Sequence, residues 1–359
     1  MSSNFFLRSF RILLLPIAVF YWLAIAVRNF LYNKSILRST PFGLPLICVG
    51  NLSVGGTGKS PMVEYLVRLL QDQYKVATLS RGYKRRTRGY ALANESSTAL
   101  EIGDEPMQFH NKFPGVPVAV GEERLIAIPQ LLHDRPDTGV IILDDAFQHR
   151  AIKAGLNILL TDYNNLFTRD FYLPTGDLRD LKSEYKRAEM IVVTKCPPDL
   201  SPSEKQNIVA ELKLKKGQTV FFTAMEYGQP YHILHRSPVH FTPETEVLLV
   251  TGIANPRSLK SMLESHSKTY QMLQYPDHKI FTIDDLKEIK RRFKGIESVD
   301  KIILTTEKDA VRLVKFNSEI ADLPFYVIPV RHHFLYGEGV KFDEIVTGFV
   351  HRFEPAQKN

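Results

Sequence analysis

Gly55, Gly56, Gly58, Lys59 and Ser60 lie close together, directly after the β-rich apolar run Leu46 to Val49 and directly before a helically spaced run through Glu64, Leu66 and Leu69. That arrangement suits one kind of chemistry. Backbone N–H groups of a glycine-rich turn and a helix N-terminus surround the β and γ phosphates of a nucleotide, a lysine neutralises phosphate charge, and the following hydroxyl ligates magnesium. Asn51, Ser53, Val54, Gly55, Gly56, Thr57, Gly58, Lys59 and Ser60 therefore read as the nucleotide contacts of a phosphate-binding loop. Ser53 stands where such loops usually begin with glycine, and Gly55 and Gly56 leave the turn free to take positive φ angles. A second apolar run, Val140 to Leu143, ends in Asp144-Asp145. Carboxylates at that position face the phosphates across the carboxyl edge of a parallel sheet, where magnesium needs oxygen ligands. Ser60 with Asp144 or Asp145 is the expected metal set.

These groups need a scaffold, and the chain punctuates itself as α/β. Short apolar runs at Val76 to Leu79, Ile158 to Leu160 and Met190 to Val193 join the two already named, with room for crossover helices between them. The alternation resumes at Val247 to Val250, Ile302 to Leu304 and Phe325 to Ile328. The expected fold is a P-loop NTPase-like parallel sheet with flanking helices, a second smaller α/β lobe, and an N-terminal membrane-associated helix. The expected division is residues 1–40 for that helix and its basic flank, 41–212 for the nucleotide-binding domain, 213–242 for a linker that can itself carry strands, and 243–359 for the second lobe. A chain of 359 residues has the length for two such units.

Composition removes several classes. Apolar residues at 44% and charged residues at 24% are ordinary globular usage, and two cysteines allow neither a disulfide framework nor a four-cysteine zinc site. The net charge of +7 is local, because no acidic residue precedes Glu64 while Arg8, Arg11, Arg28, Lys34, Arg38 and Lys59 do. The rest of the chain is close to neutral, so no nucleic-acid surface is expected.

The basic segment holds the longest uncharged apolar run, Ile12 to Val27, flanked by Arg8, Arg11 and Arg28. At 1.5 Å per residue it reaches roughly 24 Å, short of the roughly 30 Å of a bilayer core. A helix lying partly in one leaflet, with Tyr21, Trp22 and Tyr32 at headgroup level, meets both the length and the charges. A spanning helix, a cleaved leader ending at Ala24-Ile25-Ala26 and a buried core helix are the competing readings; a nucleotide site downstream argues against export.

Gly50-Asn51-Leu52-Ser53-Val54-Gly55-Gly56-Thr57-Gly58-Lys59, Ser80-Arg81-Gly82-Tyr83, Gly103-Asp104-Glu105-Pro106, Asp144-Asp145-Ala146-Phe147-Gln148-His149, Leu178-Arg179 and Tyr275-Pro276-Asp277-His278 occur in this order. The set resembles the tetraacyldisaccharide 4'-kinase family, the membrane-associated lipid A kinases of Gram-negative bacteria, over most of the chain. The resemblance implies transfer of the ATP γ-phosphate to the 4'-hydroxyl of tetraacyldisaccharide 1-phosphate, giving lipid IVA. It implies ATP and Mg2+ at the loop, an Asp104–His278 dyad and Lys59 in catalysis, and Gln148 at the nucleotide. It also implies Tyr83, Arg124 and Arg179 near substrate or phosphate. The nucleotide site and the short, basic-flanked helix lead us to expect a monotopic protein on the cytoplasmic face of the inner membrane, with no obligate protein partner. Two positions depart from the family: Asp180 stands where Glu is usual, one methylene shorter, and Lys279 stands where a second histidine is common.

The basic run Arg81 to Arg88 reads either as a solvated loop or as a site for the lipid's 1-phosphate. Two other function classes compete with the lipid kinase. A membrane-tethered P-loop ATPase acting on a protein partner would use the same loop, though a guanine-specific one would need Asn-Lys-x-Asp where Thr194-Lys195-Cys196-Pro197 stands. A non-catalytic lipid-binding protein with a degenerate loop is disfavoured by Lys59, Ser60 and Asp144.

Overall fold

The computed structural model describes residues 11–353 apart from 241, 254, 255 and 268; Arg8, part of the expected basic flank, lies outside the described residues. Every short apolar run named above for the two lobes becomes a strand, while the long N-terminal run becomes a helix. The larger sheet has nine strands in the order β14-β8-β7-β6-β1-β5-β2-β4-β3. They are β1 (Leu46–Asn51), β2 (Val76–Ser80), β3 (Ala91–Leu92), β4 (Val118–Val120), β5 (Val140–Asp144), β6 (Leu156–Asp162), β7 (Met190–Thr194), β8 (Thr219–Tyr227) and β14 (Val330–Phe334). β4 through β8 across the middle are parallel, and β3 and β14 close the two edges antiparallel. β1, β2, β5 and β7 are buried along their whole lengths. A strand covered on both faces needs continuous apolar sequence, which is why these were visible as runs.

Helices α2 (Lys59–Leu70), α3 (Asp104–Lys112), α4 (Arg124–Asp134) and α5 (Pro202–Leu212) belong to this part of the chain. Two apolar cores form, one around Leu46, Cys48, Leu143 and Phe222, the other around Ile47, Val49, Leu66 and Phe342. Alternate residues of β1 feed opposite cores, as a period of two requires.

A five-stranded sheet follows, ordered β11-β10-β12-β13-β9. It contains β9 (Tyr231–His232), β10 (Glu246–Thr251), β11 (Thr269–Gln274), β12 (Lys301–Thr306) and β13 (Phe325–Ile328), with α6 (Arg257–His266), α7 (Ile283–Lys294) and α8 (Glu307–Leu313). α7 starts at a reciprocal capping box, Thr282 with Asp285, and ends at Gly295.

The expected boundaries shift in two places. Residues 213–242 are more than a linker, because Thr219–Tyr227 is a nine-residue strand paired with β7 and β14. Residues 243–359 are more than a second lobe, because β14 and the final helix α9 (Gly339–His351) return to the large sheet and its core. The physical reason is the same in both: Phe221, Phe222, Phe334, Phe342 and Val346 are apolar enough that only the large sheet's core can bury them.

The N-terminal helix α1 runs over Leu15–Asn33, with Pro16 in its first turn, where its missing N–H costs nothing. It is not a core helix. Ala18, Ile25 and Asn29 are buried against the body of the protein, while Ile17, Val19, Phe20, Leu23, Val27 and Phe30 stand exposed. Leaving six such side chains in water costs on the order of 10 kcal/mol relative to burying them.

Candidate functional site

β1 ends at Asn51 in the middle of the large sheet, and the chain turns through Gly55 at φ +103° and Gly58 at φ +87° before entering α2. Those backbone angles suit residues without a Cβ, which explains the glycines. The first N–H groups of α2 and the positive end of its dipole open onto the same turn. Lys59 Nζ lies 3.4 Å from Asn51 Oδ1 and 3.6 Å from Asp145 Oδ1. Asn51 Nδ2 donates to Thr57 Oγ1 at 3.0 Å, and the Asn51 carbonyl accepts from Gln148 Nε2 at 2.8 Å. Ser53 bridges to Leu178 and the Val54 N–H donates to the Asp177 carbonyl at 2.7 Å, so the next loop holds the turn from outside. That loop delivers Arg179, which donates to Asn51 Oδ1 at 2.5 Å and to Asp145 Oδ2 at 3.1 Å. Two cations, Lys59 and Arg179, thus converge on one carboxylate, leaving a positive excess where phosphates would sit.

The carboxylate pair is placed by register: Asp144 closes β5 opposite Val49, and Asp145 turns out of the strand at φ +50°. Their environments drive the two acids apart. Burial first, then the negative charge of Asp145, pushes the Asp144 carboxyl up to about 7. Burial acts on Asp145 too, but Lys59 and Arg179 outweigh it and hold that carboxyl well below its usual range. Asp144 Oδ2 accepts from Ser80 Oγ at 3.2 Å, whereas Oδ1 is buried without a hydrogen-bond partner. An unpartnered hard oxygen beside a phosphate loop is the donor a magnesium ion would use. No group of three His, Cys, Asp or Glu among the described residues forms a self-sufficient metal cage. The set therefore fits a cation that completes its shell with phosphate and water oxygens, held by Asp144 and by Ser60 in the first turn of α2.

The dyad assembles across the two sheets. Asp104 begins α3 behind Gly103, and His278 lies in the turn after β11 at φ +62°, a strained angle for a residue with a side chain. His278 Nδ1 is 2.9 Å from Asp104 Oδ2. Arg312 of α8 grips the same carboxylate, Nε to Oδ1 at 2.7 Å and Nη2 to Oδ2, and its Nη2 is 3.0 Å from His278 Nδ1. Burial alone would raise Asp104, but Arg312 and His278 together bring it down to about 2. The other ring nitrogen, Nε2, lies 3.3 Å from Lys308 Nζ, and Lys308 pairs with Glu105 at 3.1 Å and Asp277 at 3.5 Å. A neutral imidazole has one donor and one acceptor, and Nδ1 faces a carboxylate that can only accept. The proton therefore belongs on Nδ1 and the lone pair on Nε2. Glu105 also raises the Asp144 carboxyl, which ties the dyad and the phosphate loop into one electrostatic neighbourhood.

The remaining expected residues fall into two groups. Tyr83 is exposed, with its ring 5.2 Å from that of His278, open to a substrate. Gln148 holds the end of β1, and Arg28 of α1 donates to its carbonyl at 2.6 Å. Arg124, expected near substrate or phosphate, stands directly beneath the carboxylate pair. It is 1% exposed, and its guanidinium donates to the carbonyls of Gly121 and Asp144, so it acts as an internal strut under the carboxylate pair. Asp180 is buried beneath α1, where its Oδ1 accepts from Asn29 Nδ2 at 2.7 Å. Lys279, in place of a second histidine, pairs with Asp285 at 3.1 Å. In the basic run, Arg85 is engaged by Glu122 at 2.7 Å, while Lys84, Arg86 and Arg88 are exposed. Arg312 and Lys308 were missed. Thr305-Thr306-Glu307-Lys308-Asp309 marks the far end of the family resemblance, but no role attaches to Lys308 there, and the partners of Lys308 and Arg312 lie far away in sequence.

The sequence pattern described as tetraacyldisaccharide-1-P 4'-kinase matches residues 10–349. The chain is similar to proteins named tetraacyldisaccharide 4'-kinase from Bacteroides thetaiotaomicron, with 44% identity over 94% of this chain and 92% of the relative, and from Flavobacterium johnsoniae, with 46% identity over 90% and 93%. Its fold is similar to the crystal structure of LpxK from Aquifex aeolicus in complex with ATP, with a TM-score of 0.73 and 28% identity over 95% of this chain and 99% of the other.

Proposed function

The chain belongs to the tetraacyldisaccharide-1-P 4'-kinase family and is a kinase of lipid A biosynthesis; from that premise we propose how its residues carry out the transfer. The γ-phosphate of ATP passes to the 4'-hydroxyl of tetraacyldisaccharide 1-phosphate. ATP lies with its β and γ phosphates in the turn from Ser53 to Ser60, with Lys59 and Arg179 balancing their charge. Asp144 and Ser60 would hold a magnesium ion, whose chemistry there would be neutralisation of phosphate charge.

A sugar hydroxyl is a weak nucleophile and needs a positioned proton acceptor. Asp104, held near 2 by Arg312, is too weak a base for that role and serves to orient the imidazole. The lone pair of His278 Nε2 takes the proton, and Lys308 Nζ, 3.3 Å from that atom, occupies the position the hydroxyl would enter. Tyr83, beside the ring, completes the acceptor side. The exposed apolar face of α1, with Arg11 and Arg28 flanking it, supports partial insertion in the cytoplasmic leaflet of the inner membrane. Tyr21 OH donates to the Arg179 carbonyl at 3.2 Å, so an inserted α1 would bring the phosphate site to the membrane surface.

The observation that carries this reading is the joint placement of the loop's Lys59 beside Asp145 and of His278 on Asp104. The test is incubation of the full chain with γ-labelled ATP, magnesium and the disaccharide lipid, with label read in the lipid phase. Label released as free phosphate with none in lipid would favour the tethered ATPase instead.

A further inference from the structure

Three consecutive carbonyls of the phosphate loop accept side-chain donors from the end of β7 and from the middle of β14. Gly56 O accepts from Lys195 Nζ, Thr57 O from Thr194 Oγ1 at 2.8 Å, and Gly58 O from His332 Nε2 at 2.9 Å. Lys195 is itself held by Asp162 at 2.7 Å. In a trans peptide the C=O of one residue and the N–H of the next point in opposite directions. Fixing the Thr57 and Gly58 carbonyls on the strand side therefore turns the N–H groups of Gly58 and Lys59 the other way. Those two N–H groups find no acceptor of their own among the described residues.

His332 is the unusual member. It is buried, it comes from β14, and it reaches the loop only because the chain returns to the large sheet after building the second one. A Cβ on Gly58 would lie 3.0 Å from His332 Cε1, so the glycine also serves this close approach. Gly58 O can only accept, so Nε2 carries the ring proton. Nδ1 then accepts from Thr223 Oγ1 at 2.9 Å, which fixes the tautomer. Burial holds the imidazole well down, at about 4, so the ring is neutral at physiological pH.

We infer that His332, oriented by Thr223 and acting with Thr194 and Lys195, is a positioning residue that presets the loop's N–H groups for the β and γ phosphates. The inference rests on the nucleotide reading above and deepens it. His332 touches no phosphate; it acts through the Gly58 peptide. Holding the donors in place before binding removes an ordering cost that a free glycine loop would meet each time.

The test uses the full chain as wild type, His332→Phe, His332→Gln and Thr223→Val, with binding of ATP and of AMP measured by calorimetry and steady-state constants for both substrates. AMP lacks the two phosphates that the loop would hold. His332→Phe should weaken ATP binding about five- to tenfold, the worth of one net hydrogen bond, and leave AMP unchanged. KM for ATP should rise while KM for the lipid stays put. His332→Gln, which keeps an N–H donor, should recover most of the loss, and Thr223→Val, which frees the tautomer, should weaken ATP about twofold. Equal weakening of ATP and AMP in His332→Phe would mark a general structural role and overturn the inference, as would wild-type ATP affinity in that variant. If His332→Phe does not fold, an unchanged ATP affinity in Thr223→Val overturns it. Failure of the wild type to bind ATP would refute the nucleotide reading itself.

Discussion

Replacing Arg312 with methionine separates the roles assigned at the dyad. The guanidinium is 6% exposed and the Asp104 side chain 11% exposed, and two of its nitrogens meet the two carboxylate oxygens. Removing one partner of a buried pair costs 3–5 kcal/mol in typical cases, and the residual exposure argues for the lower end, about 3 kcal/mol. In the wild type the Asp104 carboxyl is depressed to about 2. Its stabilisation is complete above the unfolded value near 4 and is lost only as pH falls from there toward 2, so it is flat between pH 5 and 8. In Arg312→Met burial is opposed by His278 alone, and the carboxyl rises. A raised carboxyl stabilises below its unfolded value and loses that contribution as pH increases through the raised one. The stability gap between wild type and variant should thus be about 3 kcal/mol at pH 8 and should narrow toward pH 5. Urea unfolding at four pH values reads it directly. Turnover should fall about a hundredfold, with KM for ATP within threefold, because the imidazole loses its seat while the loop does not. A gap under about 1 kcal/mol at pH 8, or one that stays constant over the range, would refute the reasoning.

Lys59→Ala should lower kcat by about a thousandfold, since one of the two cations on the phosphates is gone; near-normal turnover on ATP and lipid would contradict this. Phe20→Glu with Leu23→Glu on the exposed face of α1 should abolish sedimentation with anionic vesicles and leave ATP affinity within twofold. Full vesicle binding by that pair would remove α1 as the anchor. His149 and His332 are both held at about 4 by burial, His149 also by Arg124 and Arg81. Their penalty is absent above the unfolded value near 6.5 and grows as pH falls toward 4, up to roughly 3 kcal/mol each. The melting temperature should therefore drop between pH 7 and pH 4.5, and a flat profile would disprove it.

The parts of the fold legible in the sequence were those that a buried parallel strand must write out in full. Val140 to Leu143 and Met190 to Val193 have apolar neighbours on both faces and cannot hide. β14 reads Val-Arg-His-His-Phe, a polar-rich edge strand whose partner β8 is over a hundred positions earlier, and it offers no run to see. β8 was obscured differently, by Gly217, Gly228 and Pro230 around it. The site divides the same way. Asn51 to Ser60 is contiguous and its chemistry is carried by spacing. Asp104 with His278 came only through family resemblance, and Arg312 and His332 act on residues 208 and 274 positions away. The burial of Arg124 was not legible either, because sequence reveals that a residue is basic and not that it is buried.

The two passages between the sheets run side by side. β8 leaves the large sheet at Tyr227 just where β14 re-enters it at Val330, the Gly228 N–H donates to the Pro329 carbonyl at 3.0 Å, and Tyr231 then pairs with Val327 in the small sheet. The connection is a two-stranded ribbon, which flexes across its flat face far more readily than it stretches, shears or unzips. A bend in that ribbon would carry His278 relative to Lys59, like a leaf spring between two plates, against the direct ties of Arg312 to Asp104 and Lys112 to Glu307. A cut in either strand of that ribbon would leave the halves associated while releasing the constraint, so a nicked enzyme should retain its mass in solution and lose the alignment on which transfer depends.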